Sequence, residues 1–202
     1  MAFRGYLNKS ILRIANGMRL LGGLGYVFSL IPFLNIVAPI LIGIAWFQMG
    51  GRTGQRLFRA TGVLMIATFV VAVASALVSV QSLLLIALLL SMSEPQMFDL
   101  LPLLGGFLAA FIALAAVGLA TFVLELISHF RASGLYASSW FRRAAWMRIA
   151  TVALLAVLVG VLIIGGESST FSTAFLIPFV AVGLLSPVFS VIAFFKLPEE
   201  KP

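Results

Sequence analysis

The chain of 202 residues contains no cysteine and a single histidine. Disulfides, thiolate metal sites and cysteine nucleophiles are therefore excluded. The sequence also lacks an HExxH motif and any pair of aspartates within its apolar segments, which argues against a metalloprotease, a haem protein with two histidine ligands and an aspartyl intramembrane protease. We expect the protein not to be an enzyme and to need no metal or cofactor.

Charge is also scarce, because only 9% of the residues are charged and 62% are hydrophobic. A soluble domain has about 25% charged residues, so this composition indicates a single integral-membrane domain, residues 1–202. The net charge of +7 is explained by orientation in the membrane and by contact with lipids that have anionic headgroups. We expect no nucleic-acid partner.

The N-terminus lacks the pattern of a cleavable signal peptide. The first twenty residues carry dispersed cations and no compact apolar core followed by a small-residue cleavage site, so we expect them to be retained. Leu7, Ile11, Ile14 and Met18 recur at helical spacing. Residues 3–19 are therefore either an amphipathic interfacial segment or the first turns of the next span, and both interpretations stay open.

An interrupted apolar run covers residues 20–51. Pro32, Asn35 and Pro39 lie at its middle. One helix of this length would measure about 45 Å, whereas a hydrocarbon core is about 30 Å thick. The run is therefore either one kinked span or a hairpin of two short arms, with its tip at Pro32, Asn35 and Pro39.

Further segments are apolar and long enough to be membrane helices. The basic stretch 129–148, which is rich in arginine and tryptophan, is typical of an interfacial helix. The sequence therefore predicts an all-α fold, a polytopic transmembrane helix bundle whose further helices cover 57–92, 103–130, 149–164 and 174–195.

The cations decide between the two forms of the run 20–51. If it crosses once, the 13 Lys and Arg divide between the two sides. If it crosses twice, they all lie on one side, and the opposite links carry only Glu94, Asp99 and Glu167. We predict the hairpin, hence about six membrane helices, with both termini on the cytoplasmic side of a cell membrane. Each arm of about 15 to 17 residues is barely long enough to cross, so a full crossing and a re-entrant loop stay open.

A stripe of hydroxylated and small side chains follows one face of the segment 57–92. Such a stripe either packs against another helix or lines a polar path through the membrane. The candidates for this path or packing stripe are Thr68, Ser75, Ser79, Gln81, Ser82 and, from the next helix, Glu125.

Glu125 is the only carboxylate inside a predicted span, and His129 follows one turn later. An acid within a membrane suggests ion or proton handling. Glu125 lies close to the predicted cytoplasmic end of its helix, however, so we expect a structural ion pair with Arg59 or Arg131. The same helix has a second face of small residues that permits close helix packing: Gly106, Ala109, Ala113, Ala116 and Ala120.

Two basic clusters flank the predicted membrane helices. Arg52, Arg56 and Arg59 follow the hairpin, and Arg142 and Arg143 lie among tryptophans. Arginines in this position attract anionic lipids. These five residues are therefore candidate contacts for lipid headgroups.

Glycine and proline punctuate the first third of the chain in a way that resembles a known family. The motifs are LGGLG at 21–25, Ile31-Pro32, LIGI at 41–44 and Leu57-Phe58. They resemble the start of an uncharacterised family of small archaeal membrane proteins, recorded only as a domain of unknown function. Asn35 stands where the family has a glycine. The resemblance implies a multi-pass, archaeal-like protein of the cell membrane, and it brings no activity, cofactor or site residue.

Two functions fit these patterns. Scarce intramembrane charge and several small-residue faces favour a non-catalytic structural, assembly or accessory component that associates with itself or with other membrane proteins. The broken hairpin, Glu125 and the hydroxyl stripe favour the alternative, a channel or transporter for a small solute or ion.

Overall fold

The computed structural model describes residues 17–91, 97–164 and 169–198. Residues 3–16 of the predicted interfacial segment 3–19, and the positions of Glu94 and Glu167, lie outside these ranges. The elements of the described part are α1 (17–28), a 3-10 turn (Leu34–Ile36), α2 (Ala38–Thr53), α3 (Arg56–Ser91), α4 (Met97–Leu135), α5 (Ser139–Ile164) and α6 (Ser169–Phe195).

Five segments of the described ranges are apolar and long enough to cross a membrane. They are Leu34–Thr53, Arg56–Leu89, Leu101–Leu135, Ser139–Gly160 and Leu176–Phe195. The predicted all-α membrane bundle is confirmed. The helix α1 is not one of these five segments. It is the shortest α-helix of the described ranges, and it forms the first arm of the predicted hairpin.

The run 20–51 folds as a hairpin, as predicted. Residues 29–37 join α1 to α2 and contain Pro32 and Asn35, whereas Pro39 lies in the first turn of α2. The two arms meet at Gly25, where a Cβ atom would lie 2.6 Å from Ile42 Cγ1 and 2.9 Å from Ile42 N. Only a residue without a side chain allows this approach.

Many backbone groups in the turn of the hairpin form hydrogen bonds with other backbone groups of the turn or of the end of α1. Ile31 N donates to Phe28 O at 3.1 Å, and Asn35 N donates to Ile31 O at 3.0 Å. Pro32 and Pro39 have no N–H group to satisfy. Because unpaired backbone groups are costly in hydrocarbon, such a turn is suited to lie inside a membrane.

Glycines also bring α2 into contact with α3. A Cβ on Gly62 would lie 2.5 Å from Gly43 O and 2.6 Å from Phe47 N, and a Cβ on Gly43 would lie 2.8 Å from Gly62 O. These obstacles are backbone atoms, which cannot turn aside as a side chain can. The hairpin therefore docks on α3 because both positions lack a side chain.

Hydroxyl groups join α3 to α4 as an antiparallel pair. The hydroxylated residues on α3 are seven positions apart, so they share one helical face. The contacts are Thr61 Oγ1 with Ser128 Oγ (2.7 Å), Thr68 Oγ1 with Thr121 Oγ1 (2.6 Å) and Ser75 Oγ with Ala110 O (3.2 Å). In this part of the helix the predicted stripe packs against α4.

A tight turn at residues 136–138 joins α4 to α5. Ser138 N donates to Ser133 O at 3.2 Å, and Ala137 has a left-handed φ of 48°. This is the Schellman arrangement that ends many helices. The prediction of a separate interfacial helix over 129–148 is wrong, because one left-handed residue reverses the chain and α5 begins at once at Ser139.

The largest buried side chains lie at one end of the bundle, which we call the base. Trp46 is fully buried, and its ring centroid lies 5.1 Å from that of His129 and 5.4 Å from those of Phe58 and Phe194. Arg19 also lies there and donates to Phe195 O at 2.8 Å. The base joins the start of α1, α3 and α5 to the end of α2, α4 and α6.

The helices α3 and α4 extend far beyond the hairpin. α2 has 16 residues and α3 has 36, which correspond to about 24 Å and about 54 Å. Since α2 ends and α3 begins at the base, the hairpin tip stands beside the middle of α3. Beyond it the outer surface is apolar, with Leu77 67% and Phe111 62% exposed.

Candidate membrane-embedded polar site

Glu125 on α4 and Arg148 on α5 form a buried ion pair. Oε2 of Glu125 lies 2.5 Å from Nη1 of Arg148, and each residue is 9% exposed. Nη1 makes no hydrogen bond of ordinary geometry, so the contact is one of charge. An ion pair was expected, but the expected partners Arg59 and Arg131 were wrong, since both are exposed at the base.

The hairpin supplies the other partner of Glu125. Tyr26 OH donates to Oε1 at 2.5 Å, and Trp46 Nε1 donates to Tyr26 OH at 3.2 Å. Arg148 Nε donates to Ser186 Oγ at 3.0 Å. The two charges are thus held by groups from α1 and α6, and Trp46 of α2 holds Tyr26 in turn, so the buried ion pair has the additional hydrogen bonds that it requires.

A cavity of about 310 Å³ separates this polar network from the hairpin tip. Most of its wall is apolar, from residues such as Ile42, Met65 and Pro187. Its polar groups belong to Tyr26, Ser29, Asn35, Thr68, Thr121, Glu125 and Arg148. The cavity therefore combines a mainly apolar wall with a few convergent polar groups, which is the usual character of a small-molecule site.

His129 and Ser190 form a second buried polar pair, on α4 and α6. His129 Nδ1 donates to Glu125 O at 2.8 Å, and Nε2 lies 3.1 Å from Ser190 Oγ. A serine beside a histidine is the beginning of a nucleophile and base arrangement. Both residues are 0% exposed, however, so no substrate reaches them and the pair serves to tie α4 to α6.

The other residues of the predicted polar stripe differ in their surroundings. Ser75 and Ser82 are buried, Ser79 is half-buried and Gln81 is exposed. Thr68 lines the cavity and also bonds to α4. The stripe therefore packs within the chain at Thr68, Ser75 and Ser82, and it meets the cavity at Thr68.

The predicted hairpin tip and basic clusters lie at opposite ends of the hairpin. Pro32 and Asn35 are exposed in the turn, and Asn35 and Pro39 both line the cavity. At the base, Arg52 is half-buried and the other candidate headgroup contacts are exposed: Arg56, Arg59, Arg142 and Arg143. Their contact with lipid headgroups stays a prediction.

Two aromatic residues at the base have polar neighbours. Arg143 Cζ lies 4.8 Å from the ring centroid of Trp140. In the turn after α4, burial raises the pKa of the Tyr136 phenol, and the nearby charge of Arg52 opposes that rise. Tyr136 OH is buried without a hydrogen-bond partner among the described residues.

The sequence analysis missed Tyr26, Arg148 and Ser186. Arg148 belongs to a stretch whose other arginines are exposed, and Tyr26 lies in an apolar arm. One signal was present: Glu125 lies twelve residues before Ala137, and Arg148 lies eleven after it. Residues equally far from a tight turn face each other in an antiparallel pair, so the turn position would have predicted the ion pair.

The fold and this site define a class, that of polytopic α-helical membrane proteins with a polar network buried near one end. Comparison with known protein families, with curated proteins and with solved structures finds no match to this chain. The archaeal resemblance of the first third therefore stays a prediction.

Proposed function

We propose that the protein is a non-catalytic membrane component that acts through contacts of its helices with lipid and with other membrane proteins, including copies of itself. One observation carries this proposal. In an apolar stretch of 18 residues in α3, and in a stretch of the same length in α4, only 6% of the residues are buried within the chain. Two long helices that pack against each other but bury so few of their residues offer large surfaces to the membrane and to partners.

The small-residue face of α4 supports the proposal. Ala109, Ala113, Ala116 and Ala120 are exposed, and no described atom lies within 4 Å of a Cβ built on Gly106. The polar face of α4, with Thr121 and Glu125, is the one that packs inside the chain. Small residues on an outward face allow a second helix to approach closely in lipid.

Cysteine cross-linking in native membranes tests this proposal. The natural chain has no cysteine, so Ala113→Cys is the sole reactive position. We expect oxidative cross-links through residue 113, and loss of these cross-links when Ala116→Leu is added to Ala113→Cys, because a large side chain on the same face blocks close approach. Ala74→Leu, also added to Ala113→Cys and at an exposed position on α3, is the matched control. A monomer that forms no cross-link at residue 113 would contradict the proposal.

The cavity beside Glu125 favours a second candidate, transport of a small solute or ion. A charged pair facing a cavity inside a membrane protein is a common feature of solute pathways. Flux measured in liposomes, compared between the natural chain and Glu125→Gln, tests this candidate. A folded variant with equal flux, or no flux in either protein, would exclude it.

A further inference from the structure

A second cavity continues from the polar one along α3. It has a volume of about 490 Å³, and Asn35, Pro39 and Thr68 line both cavities. Beyond these three residues its wall is apolar and comes from the hairpin tip and one face of α3: Ile36, Phe69, Ala72, Val73, Ala76, Leu77 and Val80. We call the first cavity, which contains the charged pair, the polar chamber, and the second cavity the groove. The polar chamber opens into the groove, which runs about 18 Å along the helix from Thr68 to Val80.

The polar chamber has hydrogen-bonding capacity that the chain does not use. The Asn35 side chain has no hydrogen bond to any described residue, and it stands where the chamber meets the groove. Arg148 also lines the chamber, but its Nη1 is already paired with Glu125 Oε2 at 2.5 Å. The Asn35 amide carries N–H donors and an oxygen acceptor, so it suits a ligand with an oxygen-bearing group, above all a hydroxyl, which can both accept and donate.

The charges of the chamber select against an ionic ligand. Glu125 and Arg148 already neutralise each other at 2.5 Å. A carboxylate in the chamber would face Glu125, and an ammonium group would face Arg148, in surroundings that screen charge weakly. An uncharged hydroxyl or carbonyl group meets neither penalty.

We propose that the chamber and groove bind an uncharged amphiphile with one oxygen-bearing head and a single apolar tail. The head lies beside Asn35 and Arg148, and the tail lies along α3 as far as Val80. The proposal goes beyond the function proposed above, since it concerns the interior face of the hairpin and not the outer face of α4.

Photo-cross-linking with three matched probes tests this assignment. The full chain in nanodiscs is exposed to hexadecanol, hexadecanoate and hexadecylamine, each with a diazirine in the tail, and the labelled peptides are identified by mass spectrometry. We expect the alcohol to label residues 69–80 and the hairpin tip about tenfold more than the ionic probes do, and excess unlabelled hexadecanol to remove this labelling.

Two variants separate a specific site from ordinary lipid contact. Ala76→Trp fills the groove and is expected to abolish the labelling, whereas Ala74→Trp, on the same exposed helix but outside the groove, is expected to leave it unchanged. Both positions face outward, so neither change disturbs the buried core. Equal labelling by all three probes, or labelling that survives Ala76→Trp, would overturn the proposal.

Discussion

At the scale of single residues, the buried ion pair of Glu125 and Arg148 constrains the structure most, because both charges need partners inside an apolar interior. Each charge is about nine-tenths buried, and their hydrogen-bond partners Tyr26 and Ser186 come from two other helices, α1 and α6. A buried pair is weak support for stability in itself, but removal of one partner leaves an unpaired charge in an apolar interior. The pair therefore commits α4, α5 and the hairpin to one arrangement.

Substitution of Arg148 tests whether the ion pair stabilises this arrangement of the helices. Arg148→Gln is expected to lower the free energy of unfolding by about 3–5 kcal/mol, because Glu125 is left buried without its counter-charge. Unfolding is followed by SDS titration in mixed micelles. Arg142→Gln, the same change at an exposed position, should alter stability by no more than about 0.5 kcal/mol.

The double variant Glu125→Gln/Arg148→Gln completes the cycle. It should be less destabilised than the sum of the two single variants, because neither charge is then left alone. Additive effects would show that the two residues do not interact.

At the scale of elements, glycine decides whether the hairpin docks on α3. Gly62→Ala is expected to destabilise the protein by about 1–3 kcal/mol, since the new methyl group would meet the backbone of α2. Gly118→Ala on α4 is the matched control. No described atom lies within 4 Å of its Cβ position, so this change should stabilise its helix by up to about 1 kcal/mol. The opposite signs are measured by the same SDS titration, and equal signs would contradict the helix crossing at Gly43 and Gly62.

The turn between α4 and α5 gives a second test with opposite signs. Ala137 adopts the left-handed φ of 48°, which costs about 1–2 kcal/mol in an L-residue. Ala137→Gly should therefore raise the unfolding midpoint by an amount that corresponds to about 0.5–1 kcal/mol, after the greater freedom of glycine in the unfolded chain is subtracted. Ala153→Gly, at an exposed position within α5, should lower it. A loss of stability in Ala137→Gly would contradict the Schellman geometry.

The sequence predicted the features that depend on local helix-breaking residues, and it missed those that depend on contacts between helices. Pro32, Asn35 and Pro39 indicated where the run 20–51 is interrupted, and the one-sided distribution of the cations selected the hairpin. Proline alone was not sufficient, since Pro178 and Pro187 lie within the continuous helix α6. The turn at Ala137 was missed because it contains neither glycine nor proline. Without that turn, the partner of Glu125 could not be assigned, and Arg148 was grouped with the exposed arginines of the base.

The cations give the whole molecule one polar end. Every Lys and Arg of the described ranges belongs to the base or, for Arg148, lies a short distance above it. We expect this end to face the cytoplasm, by the positive-inside rule. Reporter proteins fused to either terminus should then be active only in their cytoplasmic forms, and activity of a periplasmic or extracellular form would contradict the orientation.

The lengths of the helices favour a hairpin that turns back within the membrane. α2 reaches about 24 Å from the base, less than the roughly 30 Å of a hydrocarbon core. The tip is apolar, and Phe33 at its outermost part is 86% exposed. A full crossing would place this apolar turn in water, whereas a re-entrant hairpin keeps it in hydrocarbon, beside α3 and the two cavities.

The depth of the hairpin tip is the most direct test of this account. A nitroxide on Phe33→Cys is read by electron paramagnetic resonance for its accessibility to dissolved oxygen and to a water-soluble nickel chelate, with Gly51→Cys at the exposed base as control. We predict high oxygen and low nickel accessibility at residue 33, and the reverse at residue 51. Nickel accessibility at residue 33 as high as at residue 51 would show that the tip reaches water, and would contradict the re-entrant hairpin.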